Sequence, residues 1–314
     1  MVEIETGTQP TEHSKKWEAD LQRQLAEYFC KKKYQVSPTK GYILQDRSDW
    51  PKNIILDKVS DYIKGKKDER HKNGQPFPLH KWIHHGLSSQ ALLFNLFGPL
   101  VVDKQWHIFD DILHQTGIQL SSVAGAEFEI EDRKVFNERQ AQPTSIDLCI
   151  HTETDENVFI EFKFTEKNFG GCSIFGDGSR DGRNPAKNFN LCYLHNIERL
   201  YWIRMEELGL LTKQIKNDLQ CPFSTLYQLH RLILFALEKN GHFLLLYDER
   251  NPSFLVERDN MKRGLFNLVY ESLPGKIQDK CYALSVQSVV PILEKHPNLD
   301  WTNELKEKYF GEMV

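Results

Sequence analysis

The sequence predicts an α/β (α+β) fold in which a helix, three strands, a helix and a further strand follow one another. Three observations carry this. Apolar and polar residues alternate with a period of two in three neighbouring segments, 124–131, 145–151 and 158–164, the mark of half-buried strands. Apolar residues recur at helical spacing before this block and again, strongly, over Thr225–Asn240. His242–Asp248 is a short continuous apolar run, which suits a buried strand.

The elements follow in order. Residues 1–13 are polar and read as a disordered lead-in. Ser14–Tyr28 sets Trp17, Leu21, Leu25 and Tyr28 on one helical face, and Lys31-Lys32-Lys33 ends it. A second helix is predicted over Asn53–Lys64, then a charged linker Gly65–Gly74 and an extended Pro76-Phe77-Pro78. Ser88 suits the N-cap of a helix over Ser89–Phe97, and Lys104–Gln115 gives another. The first strand, Ala124–Glu131, sets Ala126, Phe128 and Ile130 against Glu127, Glu129 and Glu131. After the next two strands, the glycine-rich Asn168–Lys187 reads as a long loop, and Leu191–Leu210 as a helix. Beyond His242–Asp248 a helix is predicted at Asn260–Leu273, a strand at Lys280–Val286, and helices at Ser288–Lys295 and Thr302–Phe310. The expected organisation is an N-terminal helical extension (1–76), a core (77–250) and a C-terminal α/β extension packed on the core (251–314), with no internal repeat.

Composition narrows the function classes. Hydrophobic residues make up 40% and charged residues 27%, the balance of an ordinary soluble domain. No apolar run is long enough to span a membrane, and the polar Met1–Ser14 lacks the apolar centre of a signal peptide. The six cysteines are scattered, so a reducing, cytoplasmic location is expected. A net charge of −4 argues against a protein that coats nucleic acid, but leaves room for a local basic groove. Arg180, Arg183, Lys187, Arg199 and Arg204 are candidates for such a groove, and each is equally explained as a solvated surface charge.

Chemistry concentrates in Ser145–Lys163. In the first half Ile146, Leu148 and Ile150 point one way, and Asp147, Cys149 and His151 the other. In the second, Val158, Ile160, Phe162 and Phe164 form the apolar face, which leaves Glu161 and Lys163 together on the opposite one. Two charges on an otherwise apolar strand are costly unless solvated, paired or bound to a metal. The turn decides whether Asp147 joins them. A three-residue loop at Glu153–Asp155 places Asp147 opposite Glu161, and the same loop moved one residue along places it opposite Lys163. A two- or four-residue loop sets Asp147 against Phe162 and no site forms.

An Asp followed on the next strand by Glu-x-Lys resembles the signature of the PD-(D/E)XK, or restriction-endonuclease-like, nuclease superfamily. Here Ser145-Ile146-Asp147 stands for the leading Pro-Asp, with Pro143 nearby. Ser88-Ser89-Gln90-Ala91, Phe94-Asn95 and Phe97-Gly98-Pro99-Leu100 precede the signature. Glu161-Phe162-Lys163-Phe164-Thr165-Glu166, Asp181-Gly182-Arg183-Asn184-Pro185, Cys221-Pro222-Phe223 and Tyr227-Gln228-Leu229 with Arg231 follow it. Together, over residues 77–250, they resemble a bacterial restriction-endonuclease subfamily of that superfamily.

The resemblance implies an α-β-β-β-α-β core with a central mixed sheet flanked by helices. It implies a metal-dependent endonuclease of restriction or defence type, acting on DNA. An exonuclease or repair nuclease is the alternative, since related exonucleases place a glutamine near the metal and Gln228 is such a residue. A catalytically silent nucleic-acid-binding module on the same fold is a third reading. Mg²⁺ or Mn²⁺ is the expected ion, with Asp147, Glu161 and the Phe162 carbonyl as oxygen ligands. Glu127 and Glu129, one strand away, are candidates for a further ligand and are equally explained as a solvated strand face. Lys163 is expected to orient the attacking water and balance charge at phosphorus as an ammonium, or to act as a base if burial wins. Cutting both strands would favour a homodimer.

Cys192-Tyr-Leu-His195 has the two-residue gap of a metal knuckle, flanked by Cys172 and Cys221. A Cys₃His zinc site is chemically feasible, and related nucleases carry iron–sulfur clusters on four cysteines. Reduced, buried thiols are the plainer explanation. His80, His84 and His85 precede a helix and read as incidental or as phosphate contacts.

Overall fold

The computed structural model describes residues 12–139, 143–172, 174, 192–211, 221, 223, 226–258 and 261–311. In chain order the elements are α1 (Glu12–Lys31), β1 (Val36–Ser37), β2 (Lys40–Leu44), a 3-10 helix (Arg47–Asn53), α2 (Asp57–Lys72), α3 (Ser89–Val102) and α4 (Trp106–Thr116). Then come β3 (Val123–Glu131), β4 (Ser145–Thr152), β5 (Val158–Lys163), α5 (Tyr193–Asn196), α6 (Tyr201–Glu207), α7 (Tyr227–Glu238) and β6 (His242–Tyr247). The chain closes with β7 (Val256–Arg258), β8 (Met261–Arg263), α8 (Leu265–Tyr270), α9 (Gly275–Gln278), β9 (Cys281–Ser285), α10 (Val286–Glu294) and α11 (Trp301–Tyr309). Two compact units result, counting described residues only. One draws on Met1–Ile108, Asp248–Pro252 and Ser285–Val314, the other on Phe109–Tyr247 and Ser253–Leu284. Among the described residues no helix is long and apolar enough to cross a membrane.

The first unit is helical around a small polar heart. Ser88 caps α3 as its sequence predicts, its hydroxyl accepting from the Ala91 N–H at 3.3 Å. The helix does not stop at Phe97. It is buried over Ala91–Val101, and burial on all sides carries it through Pro99. The charged stretch after Lys64 is not a linker either: α2 continues through it to Lys72. Its residues are good helix formers, and Asp61–Lys64 (3.0 Å) and Lys66–Glu69 (2.9 Å) pair one turn apart. Asn53 and Asn95 form the heart. Asn53 Nδ2 donates to the carbonyls of Ile83 (2.8 Å) and His85 (2.7 Å), and Asn95 Nδ2 donates to the Asn53 carbonyl (3.0 Å) and the Tyr309 hydroxyl (2.9 Å). Lys308, wholly buried, donates to the same Asn53 carbonyl and lies 5.0–5.7 Å from the ring centres of Tyr28, Phe29 and Tyr309.

The second unit is a mixed α/β domain built on a five-stranded sheet of order β3-β4-β5-β6-β9. β3 pairs antiparallel with β4, and β4 with β5. β5 pairs in parallel with β6, from Val158↔His242 to Lys163↔Tyr247. A parallel pair requires a crossover, and α5, α6 and α7 lie in it. This is the α-β-β-β-α-β order with a mixed sheet flanked by helices. Every residue of β5 is buried, as expected of a central strand covered on both faces. The crossover returns tightly at Gly241: a Cβ there would lie 2.5 Å from the Asn157 carbonyl oxygen and 2.6 Å from the Phe159 ring.

Other expectations need correction. Leu191–Leu210 is two short helices, interrupted at 197–200, where Glu198 takes a left-handed φ of 56°. The helix expected from Asn260 starts at Leu265, because Met261–Arg263 forms an exposed hairpin with Val256–Arg258. That hairpin and β1–β2 are too short and too polar to alternate visibly.

Candidate active site

The turn between β4 and β5 sets the site. Leu148 faces Ile160, Cys149 faces Phe159 and Ile150 faces Val158. One step further this register puts Asp147 opposite Glu161, the three-residue-loop alternative. Asp155 makes the loop by taking φ 59°, a conformation short polar residues tolerate. Asp147, Glu161 and Lys163 therefore share one face.

Beyond Leu148 a side chain takes over from the backbone ladder. The Asp147 Oδ2 accepts from the Phe162 N–H at 2.8 Å. In an extended strand the N–H and C=O of one residue point to the same side, so the Phe162 carbonyl also faces β4 and the site. Lys163 Nζ lies 2.6 Å from Glu161 Oε1, with both side chains almost fully buried. Gln228, on the first turn of α7, bridges them: its Nε2 donates to Glu161 Oε1 at 2.6 Å and its Oε1 accepts from Lys163 Nζ at 2.8 Å. The start of α7 is fixed by main-chain bonds, Tyr227 N–H to Gly170 O (2.8 Å) and Gln228 N–H to Phe169 O (3.0 Å). Glu161 Oε2 is buried without a hydrogen-bond partner. A buried carboxylate oxygen left bare is costly unless a proton or a cation meets it.

The charges act on one another. Burial, then the Glu161 and Glu129 charges, push the Asp147 carboxyl well above the usual carboxylate range. Burial also raises that of Glu161. Burial works against the Lys163 ammonium, but Glu161, Glu166 and Asp147 outweigh it and hold its pKa above the ordinary lysine value. The acidic neighbours thus favour the ammonium form of Lys163.

Two further carboxylates join this field. Glu129 lies opposite Asp147 on β3, between the pairs Phe128↔Leu148 and Ile130↔Ile146. It is buried, with a left-handed φ of 55° that breaks the alternation expected of the strand. Glu127 lies opposite Cys149, one step further from Asp147. Glu166 accepts from the Phe164 N–H at 2.7 Å. Sequence reasoning missed it as a site residue, although it belongs to the Glu161–Glu166 motif.

A second polar network joins β4 to α7. Glu138, fully buried, accepts from the Thr144 N–H (2.6 Å), from Arg231 Nη2 (2.6 Å) and from the Tyr201 hydroxyl. Thr144 precedes β4, and Arg231 lies three residues after Gln228 on α7, so the network links the segments that carry Asp147 and Gln228.

The remaining candidates fall elsewhere. Arg180, Arg183 and Lys187 lie outside the described residues. Arg199 is buried and donates to the Asn137 carbonyl. Arg204 pairs with Glu207 (2.8 Å) and Glu238 (3.0 Å). Cys172, Cys192 and Cys221 share one buried cluster, and the His195 ring packs 4.0 Å from that of Trp202. Burial raises the Cys192 thiol and takes that of Cys221 up to about 11. Among the described residues no group of three or more His, Cys, Asp or Glu side chains is gathered to hold a metal. A cation at the Asp147 site would therefore rest on two carboxylates, a main-chain oxygen, water and substrate. Mg²⁺ accepts such a sphere.

A family model described as Restriction Endonuclease associating with ARP matches residues 13–310. The chain belongs to this family. No curated protein and no solved structure matches it. The restriction-endonuclease family match spans both compact units, so the segments outside 77–250 also belong to the family pattern.

Proposed function

We propose that the chain is a metal-dependent nuclease that hydrolyses DNA phosphodiester bonds, an endonuclease of restriction or defence type. One observation carries the reading. An Asp–Glu–Lys cluster on adjacent strands, with Glu161 and Lys163 buried and Gln228 closed over them, leaves one carboxylate oxygen of Glu161 without a donor. Asp147, Glu161 and the Phe162 carbonyl would hold Mg²⁺ or Mn²⁺ there. The bound ion would supply a polarised water and a counter-charge for the phosphate. Lys163, kept cationic by its acidic neighbours, orients the attacking water and offsets charge that grows on the phosphoryl oxygens. Gln228 holds the ammonium in place and keeps bulk water off Glu161 Oε1.

Cleavage of circular and linear DNA with Mg²⁺, by the wild type and by Glu161→Gln, tests this. The expectation is cutting of the circle, lost in the variant. Cutting of linear DNA alone would favour the exonuclease reading, which the contact of Gln228 with Glu161 suits. Binding without cutting would leave the silent module.

A further inference from the structure

A cavity of about 500 Å³ opens beside Gln228, lined among others by Ser145, Phe169, Tyr193, Tyr227 and Arg231. The volume is that of a small-molecule pocket. Gln228 belongs to both places: it lines the cavity, while its amide is committed to Glu161 and Lys163. Whatever fills the cavity therefore sits next to the Glu161–Lys163 pair.

Arg231 defines what fits. Its Nε donates to Thr144 Oγ1 at 3.1 Å and its Nη2 to Glu138 at 2.6 Å, which commits two of its three nitrogens and leaves Nη1 outside these bonds. The guanidinium lies 4.8 Å from the ring centre of Tyr227 and 5.6 Å from that of Tyr201, packed between them and its hydrogen-bond partners. Its charge is met by the buried Glu138 carboxylate. The wall thus offers a fixed donor whose charge is already balanced, which suits a neutral acceptor better than a phosphate. The other cation on the wall, Arg199, is turned onto the Asn137 carbonyl. The half-buried Tyr227 supplies aromatic surface, with the fully buried Phe169 behind it, and Tyr193, 37% exposed, adds a ring that solvent reaches. Flat walls, apolar lining and one neutralised donor describe a site for a planar heterocycle with carbonyl or ring-nitrogen acceptors.

We infer that the cavity between α7, the start of β4 and the Phe169 segment is a nucleobase pocket, taking one unpaired base of the strand beside the scissile phosphate. The inference rests on the nuclease reading and sharpens its substrate class. Duplex DNA would have to unstack a base to use the site, so single strands, mismatches and frayed ends are favoured over perfect duplex.

The test is binding of the full chain, in metal-free buffer, to an oligothymidylate and to an abasic sugar–phosphate strand of equal length and charge. A stacked, hydrogen-bonded base should make oligothymidylate bind about 5- to 150-fold tighter. Ile197→Trp, which fills the cavity from a half-buried position, and Tyr193→Ala, which removes the accessible ring, should erase this preference and leave abasic binding unchanged. Equal binding of the two strands by the wild type, absence of binding to both, or a preference that survives both variants overturns the pocket. Competition by inorganic phosphate but not by thymidine also overturns it. Since no step needs turnover, a base preference without Mg²⁺-dependent cutting would mean that the nuclease reading has failed and the pocket has not.

Discussion

Gln228 is the residue whose removal tests the site most sharply. It makes two hydrogen bonds, at 2.6 and 2.8 Å, to charged groups that are almost fully buried. Hydrogen bonds to charged groups contribute about 1.5–3 kcal/mol each, which sets an upper bound of about 3–6 kcal/mol for the pair. Two features lower it. The direct Lys163–Glu161 contact at 2.6 Å survives the change, and the adjoining cavity admits water in place of the amide. Gln228→Ala should therefore cost about 1–2 kcal/mol of stability. It should lower kcat about 10- to 100-fold, equivalent to about 1.4–2.7 kcal/mol, because the ammonium loses one of its two fixed partners. Gln228→Glu should be worse in metal-free protein. It turns the 2.6 Å donor contact to Glu161 into an approach of two acceptors, beside charges that already repel. That deficit should shrink as pH falls and the added carboxyl is protonated. It should also shrink with Mg²⁺, for which the variant offers another oxygen. Urea unfolding at pH 6 and 8, with and without Mg²⁺, and steady-state cleavage give these quantities. A Gln228→Glu protein as stable as wild type at pH 8 without metal, or a Gln228→Ala protein with unchanged kcat, would refute the bridging role.

Lys163→Ala should abolish cleavage and leave the Kd for DNA, measured in Ca²⁺, within a few-fold of wild type; equal losses would make Lys163 a phosphate anchor. Mg²⁺ or Mn²⁺ should support turnover and Ca²⁺ only binding, and activity that survives excess chelator would remove Asp147 and Glu161 from the mechanism. Both carboxyls have raised folded-state pKa values, so the stability they add to metal-free protein is full below the ordinary carboxylate range and is lost as pH rises through the raised values. Titration of Mg²⁺ calorimetrically in two buffers of different ionisation enthalpy should accordingly show proton release, and its absence would mean that both carboxylates are already ionised. Burial holds the Lys308 pKa well below the ordinary lysine value, so wild-type stability should climb as pH rises from that lowered value toward the ordinary one. Lys308→Met should lack this climb and match or exceed wild type at neutral pH; a clear loss of its urea midpoint would show that the ammonium is well compensated.

Much of the site was legible because it is local. Alternation assigns Asp147, Glu161 and Lys163 to faces, and an odd turn length makes the faces coincide, so the seventeen residues 147–163 suffice to bring the three together. What the sequence hides is long-range or concerns backbone shape. Gln228 and Lys163 are 65 residues apart, so Gln228 enters only through the family resemblance and no periodicity sets the distance between them. Arg231 and Glu138 are 93 apart, and read singly each looks like a surface charge. Glu129 alternates in phase with Glu127, so its left-handed turn toward the site leaves no trace in the pattern. The charged helix beyond Lys64 misleads for the opposite reason: its stability comes from propensity and short-range pairs, while its few apolar residues give no stripe.

The placement of the charges has a physical logic. β5 is buried along its whole length and held between β4 and β6, so Glu161 and Lys163 cannot relax toward solvent. A loose surface strand would let the same residues hydrate, and the bare Glu161 oxygen would vanish into water. Rigid support converts that desolvation into a standing preference for whatever ligand neutralises the carboxylates. Glu138 extends the support to the other two segments. By taking Thr144 N–H and Arg231 together it fixes the entry to β4 against α7, and so fixes Asp147 and Gln228 from outside the site. The four side chains Asp147, Glu161, Lys163 and Gln228 come from three segments, none of which could hold the geometry alone. Loosening Glu138 should therefore disturb the Asp147 and Gln228 contacts together, while the adjacent Glu161–Lys163 pair, built on one strand, persists.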